Sequence, residues 1–127
     1  QEYEVCARGL VVLFPEPLNP RAEELLARHH IETEGYETVA LSEEEFGEDT
    51  LVLAMQDSIK QKIQNDYPGK GQVYTLCEFV NGSKEIPSVY GQTQEQYEQM
   101  YELIQGYVKK LANKLNEEAK NKCQMYT

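Results

Sequence analysis

The sequence predicts an α/β fold in which helices cover a parallel sheet, and three observations carry that expectation. Residues 50–55 (TLVLAM) form a continuous apolar run without alternation, the pattern of a strand buried on both faces. Tyr97, Met100, Tyr101, Ile104, Val108, Leu111 and Leu115 recur at i, i+3 and i+4, the stripe of a long amphipathic helix. Strand-like and helix-like segments alternate along the chain, as they do when crossover helices join parallel strands. A length of 127 residues fits one domain spanning 1–127, with three strands and about four helices.

The elements follow in order. Residues 3–12 (YEVCARGLVV) read as a strand, interrupted by Gly9 near its exit. Three prolines between Phe14 and Pro20 force an irregular stretch. Asn19 before Pro20 is a helix start, an Asx cap followed by a proline where no donor is lost. Ala22, Leu25, Leu26 and His29 share one face of that helix, and the adjacent His29 and His30 mark its end. Neighbouring helix positions diverge by about 100°, so the histidine pair makes a poor zinc site.

Ser42 and Glu45 form an S-x-x-E box for a short helix containing Phe46. Asp57 is a cap for a helix over 58–65, with Ile59 and Ile63 as its contacts, and Tyr67-Pro68-Gly69 breaks it. Residues 72–80 (QVYTLCEFV) read as a strand closed by the turn dipeptide Asn81-Gly82. Thr93 with Gln96 caps the last helix, and residues 117–127 are expected to fray.

The formal charge of −10 repels phosphate-rich partners, which argues against nucleic acid and anionic membrane surfaces. No apolar stretch reaches the roughly 18 residues that span a bilayer. Three cysteines, Cys6, Cys77 and Cys123, are an odd count without metal-ligand spacing, and they point to a reducing cytoplasm. Cys6 and Cys77 lie on expected strands, where thiols are commonly buried and inert. Arg8 reads as a lone solvated charge. Nothing in the sequence asks for a cofactor or a metal.

Several blocks, in order and at matching spacing, resemble the low-molecular-weight protein tyrosine phosphatases. Residues 16–26 (EPLNPRAEELL) are similar to that family's "pxDPRAxxxL" segment, and 40–46 (ALSEEEF) to its "qLTxEDF" block. TLVLAM resembles "dLILAMd", and 86–91 (IPSVYG) stands where the general-acid motif "xDPYG" belongs. The resemblance implies a three-layer α/β/α fold with a four-stranded parallel sheet. It also implies a C-x5-R loop after the first strand, whose thiolate attacks phosphorus while backbone N–H groups and the arginine hold the oxygens.

That chemistry has no home in these residues. Six positions beyond Cys6 stands Val12, six beyond Cys77 stands Ser83, and Cys123 has too few residues after it. The family's loop precedes the strand at 3–12, so the first β–loop–α unit is expected to be absent; a first residue of Gln1, not Met, hints at sequence before it. At the general-acid position stands Ser88, followed by Val89 instead of proline. A hydroxyl cannot deliver a proton near neutral pH as a carboxylic acid does. Glu85 is a weak candidate substitute, and a solvated loop charge is its plainer reading. Ala7 aligns with the serine of the family's "SSAG" block and Tyr36 with the histidine of "sGH". The pocket wall persists in Leu13, Phe14 and Tyr90.

The expectation is therefore a phosphatase-like chain that is inactive as given. The alternatives are an active phosphotyrosine or phosphoarginine protein phosphatase whose nucleophile loop lies upstream, and a binding module or split-protein subunit that uses the old pocket rim. In the family's sheet the missing strand lies between the strand near Val5 and that at Leu51–Leu53, so its absence leaves two open edges. Expected partners are a phosphoprotein, a chain supplying the missing unit, or a second copy in a homodimer.

Overall fold

The structure, a computed structural model, describes residues 3–10, 19–69, 72–88 and 93–126, with side chains of the last helix described as far as Glu118. Two strands, β1 (Leu51–Ala54) and β2 (Gln72–Thr75), pair in parallel with Val52 opposite Val73 and Ala54 opposite Thr75. Helix α2 (Asp57–Asp66) connects them. The remaining α-helices are α1 (Pro20–Arg28), α3 (Leu76–Phe79) and α4 (Gln94–Tyr126). The short helix expected after Ser42 is a single 3₁₀ turn, Glu43–Glu45, with its capping box in place and Phe46 just past its end as the C-cap.

Alternation along β1 builds the layers. Val52 and Ala54 face one way, where Ala54, Ile63 and Val73 form a core with Ile59, Leu10, Leu41 and Phe46 packed against it. Leu53 faces the other way, onto Leu76, Val80, Ile86 and Tyr107. A sheet covered by α2 on one face and by α3 and α4 on the other is the expected α/β/α arrangement. Helix α1 lies on α4, through Leu25 and Tyr97, which are 2% and 4% exposed.

Both ends of α1 follow from local chemistry. Asn19 accepts the N–H of Arg21 at 2.9 Å, and Pro20 opens the helix. At the other end His29 is the cap and His30 adopts φ 60°. The N–H of Ile31 reaches the carbonyl of Leu26 at 2.9 Å and that of His30 reaches Ala27 at 3.0 Å. This is the paired closure of a left-handed C-terminus, made by a histidine where glycine is easiest.

The expected strand at 72–80 is corrected by the structure. It ends at Thr75, and residues 76–79 turn into α3. Thr75 Oγ1 accepts the N–H of Glu78 at 3.0 Å, while Glu78 Oε2 accepts the N–H of Thr75 at 2.8 Å. The reciprocal capping box stops the ladder by giving these groups partners within the chain. Asn81-Gly82 is then not a strand turn but a helix stop. Asn81 takes φ 58°, its N–H bonds to Glu78, and the N–H of Gly82 bonds to Cys77 at 2.8 Å.

The strand expected at 3–12 is also corrected. Residues 3–8 are irregular and exposed, and the ladder contact made by the described part of this segment is an isolated parallel bridge between Gly9 and Ala40. Val11 and Val12 lie outside the described residues. Among those described, the sheet has two strands, not the four that the resemblance implies. Asp57 opens α2 as its first residue while Gln56 takes the cap position, one place earlier than expected. The backbone of α4 is helical to Tyr126, past the point where fraying is expected. Among the described residues no helix is long and apolar enough to cross a membrane.

Two substitutions test these closures by urea unfolding. A Cβ on Gly82 would stand 2.6 Å from Cζ of the Tyr107 ring, so Gly82→Ala is expected to lose about 1–3 kcal/mol, the usual cost of overpacking. His30→Gly relieves a left-handed backbone and is expected to gain about 1 kcal/mol. An unchanged midpoint in either variant would contradict the corresponding geometry.

Candidate functional site

The segment 82–88 leads to Ser88, and the structure ties it down at several points. The Tyr107 hydroxyl donates to the Lys84 carbonyl at 2.5 Å and accepts the Lys84 N–H at 3.1 Å. The Tyr107 ring, 5% exposed, fills the notch left open at Gly82. Burial raises the phenol's pKa above its ordinary value, with the Cys77 thiol pushing the same way and the Lys84 backbone opposing. Ile86, 1% exposed, anchors the middle of the segment in the core. Gln56 Nε2 donates to the Ile86 carbonyl at 3.1 Å, fixing the segment to the C-terminal end of β1.

Glu85 occupies a place that neither sequence reading gave it. Its Oε1 accepts the N–H of Asp57 at 2.5 Å, at the first turn of α2. A carboxylate there satisfies an orphan helix donor and complements the helix dipole. Ser88 is exposed and lines a half-open groove of about 360 Å³. Lys84 and Pro87 complete that wall; Gln96, Gln99, Met100 and Leu103 of α4 form the other. Leu13, Phe14 and Tyr90, the expected pocket wall, lie outside the described residues, as does Val89.

No described cysteine sits in an anion-holding turn. Cys6 is exposed on the irregular segment, with Glu4 Oε1 3.9 Å from its sulfur. Cys77 is half-buried on α3, its thiol 3.4 Å from the Gly82 carbonyl and 3.8 Å from the Tyr107 hydroxyl. Neither is on a strand, which corrects the sequence reading, and Cys6 is not buried. The side chain of Cys123 lies outside the described residues. Ala7 is exposed and Tyr36 is 40% exposed.

Arg8 is not a lone charge. Its Nε pairs with Glu45 Oε1 at 2.5 Å, while Glu45 Oε2 accepts the Ser42 N–H at 3.0 Å. These two contacts hold the Glu45 carboxyl below its ordinary range, the Ser42 backbone contributing most. Glu78 is held low in the same manner, first by Lys60 at 2.7 Å and then by the Thr75 N–H. His29, expected only as a helix end, also places Nε2 2.6 Å from Glu98 Oε1 and stacks on Tyr101 at 4.0 Å.

The sequence pattern of the low molecular weight phosphotyrosine protein phosphatases matches residues 1–121. The chain belongs to that family. It is 29% identical over 109 residues to the low molecular weight protein-tyrosine-phosphatase PtpB of Staphylococcus haemolyticus, covering 84% of this chain and 76% of the relative. Among solved structures it resembles a low molecular weight protein tyrosine phosphatase from T. tengcongensis, with a TM-score of 0.77 and 28% identity over 84% of this chain and 74% of the other. A YwlE arginine phosphatase with a phosphorylated active-site serine is similar at a TM-score of 0.74 and 29% identity, over 84% and 72% of the two chains. The three-layer α/β fold read from the sequence is that of these phosphatases.

The sign of the pH dependence follows from the lowered carboxyls. Glu45 and Glu78 have folded-state values below their unfolded ones, so the folded state binds fewer protons. Their stabilisation is complete above the unfolded carboxylate value, about 4.3 for glutamate, and disappears as pH falls through the folded values. Carbon-detected titration is expected to place both carboxyls below the ordinary glutamate value, with unfolding midpoints dropping over that acid range. Glu78→Gln should flatten part of the drop; a profile identical to the parent's would remove Glu78 from the account.

Proposed function

We propose that this chain carries the scaffold of a protein tyrosine phosphatase without hydrolysing phosphate monoesters itself. The observation that carries the proposal is that none of Cys6, Cys77 and Cys123 begins a C-x5-R. A phosphatase thiolate works because backbone N–H groups and an arginine surround it and lower its pKa. The neighbours of Cys77 are instead a carbonyl and a phenol whose proton goes to the Lys84 carbonyl. Those of Cys6 are the Glu4 carboxylate and the Arg8 guanidinium, two residues along an exposed, irregular segment. Neither set is the turn of converging backbone N–H groups closed by an arginine that holds the oxygens of a phosphoryl group. The serine at the general-acid position points the same way, since such proton transfer contributes about 10²–10⁴-fold.

The test is hydrolysis of p-nitrophenyl phosphate by the 127-residue chain across neutral and mildly acidic pH. The expected rate equals the buffer background. Turnover abolished by Cys6→Ser, Cys77→Ser or Cys123→Ser would show that one of these thiols is the nucleophile and end the proposal.

A second reading rests on length, because the PtpB relative and both solved phosphatases extend beyond the portions this chain covers. In a longer polypeptide carrying a C-x5-R, the same scaffold would act on phosphotyrosine or phosphoarginine proteins, the substrates named for its relatives. Ser88 then limits the rate, and Ser88→Asp in that polypeptide is expected to raise kcat on p-nitrophenyl phosphate by about 10²-fold or more. No acceleration would assign the proton transfer elsewhere.

A further inference from the structure

We infer that the groove between segment 82–88 and the first turns of α4 is a binding site for a small amphipathic monocarboxylate, anchored by Lys84. The inference goes beyond the proposed function and does not depend on whether the chain hydrolyses anything.

The first reason is charge. The chain carries 22 acidic and 12 basic side chains, yet among the described residues Lys84 is the one ionisable group lining this groove. Lys84 enters none of the ion pairs among the described residues. Among the described residues, a lysine outside every ion pair, on a groove that no carboxylate lines, is a local inversion of sign on an acidic protein, and it attracts anions.

The second reason is preorganisation. Tyr107 holds the Lys84 backbone from both its N–H and its carbonyl. A ligand therefore meets a lysine whose main chain is already fixed, and less ordering cost falls on binding. Gln96 is similarly set. Its Oε1 accepts from Thr93 N at 3.0 Å and from Thr93 Oγ1 at 3.1 Å, which leaves its amide N–H groups as donors. Gln99 and Ser88 add an amide and a hydroxyl to the lining.

The third reason is the apolar part of the groove. Met100 and Leu103 stand beside the polar groups, and about 360 Å³ accommodates a ring-sized ligand. One ammonium with neutral donors matches a single negative charge. A dianionic phosphoryl group would ask for an arginine fork or a nest of N–H groups, and it would be repelled more strongly by a net charge of −10.

The experiment is an amide-resolved NMR titration of the chain with sodium benzoate, with benzamide as the neutral isostere and phenylphosphonate as the non-hydrolysable dianion. Benzoate is expected to give saturable shifts at Lys84, Ser88, Gln96 and Gln99, and benzamide to bind about tenfold more weakly or not at all. Lys84→Met should weaken benzoate about tenfold with the rest of the spectrum unchanged, and Lys84→Arg should retain most of the affinity. Absence of saturable shifts, shifts mapping elsewhere, undiminished binding by Lys84→Met, or tighter binding of phenylphosphonate than of benzoate would each overturn the inference. These readouts are independent of turnover, so hydrolysis of p-nitrophenyl phosphate would refute the proposed inactivity and leave this site standing.

Discussion

A phenol buried as deeply as that of Tyr107 must find partners for its hydroxyl, because leaving it unpaired costs about 1–3 kcal/mol. It finds them on the main chain of Lys84, giving to the carbonyl and taking from the N–H. That single requirement organises one side of the molecule. The ring reaches Lys84 only because Gly82 has no Cβ, and Gly82 is placed there by the left-handed stop at Asn81. The stop ends α3, which exists because Thr75 and Glu78 cap it reciprocally. Sheet, short helix, loop and long helix are thus joined through one aromatic side chain.

The same loop is held from the other side of the sheet's end. Gln56 and Asp57 follow β1 after Met55, and they contact the Ile86 carbonyl and the Glu85 carboxylate. Groups at the carboxyl ends of parallel strands are where α/β folds gather their sites, and here those groups serve to position Ser88. The packing of α4 against this face uses Leu103, Ile104, Tyr107 and Leu111. A rigid wall results, although the exposed Ser88 at its end carries no acid.

Much of this is legible in the sequence, and the failures have physical causes. Asn19-Pro20 and Thr93-x-x-Gln96 specify their helix starts by local hydrogen bonding, so they need no tertiary information. TLVLAM reads correctly as a strand, because a continuous apolar run has few other uses, but burial on both faces does not hold along it. In β1 Ala54 is buried and Leu51, Val52 and Leu53 are half-buried, and Met55 just after it is 40% exposed. QVYTLCEFV misleads because its aromatic and β-branched residues favour a strand, although the box Thr75-x-x-Glu78 inside it is a visible helix signal. On α4 the expected stripe runs through Val108, which is 48% exposed, and misses Tyr107. Both positions fit a period of 3.6; only the notch at Gly82, far away in sequence, decides between them. The segment 3–8 has a strand's composition, but a strand requires a ladder partner, and pairing is a tertiary fact that composition does not contain.

The role of Glu85 separates scaffold from chemistry. A carboxyl acting as general acid must carry its proton before the reaction, and a protonated carboxyl is a poorer acceptor for an N–H at a helix start. Glu85 is engaged as that acceptor for Asp57, so lending it to catalysis would loosen both the first turn of α2 and the segment it steadies. Three residues of separation from Ser88 do not make the two positions interchangeable: Glu85 is turned toward α2, while Ser88 lies on the groove. Layers, caps and buried side chains reproduce the family's fold without requiring a nucleophile, because their stability comes from packing and local hydrogen bonds. Chemistry makes a separate demand on a few side chains, and a fold of this kind persists whether or not that demand is met.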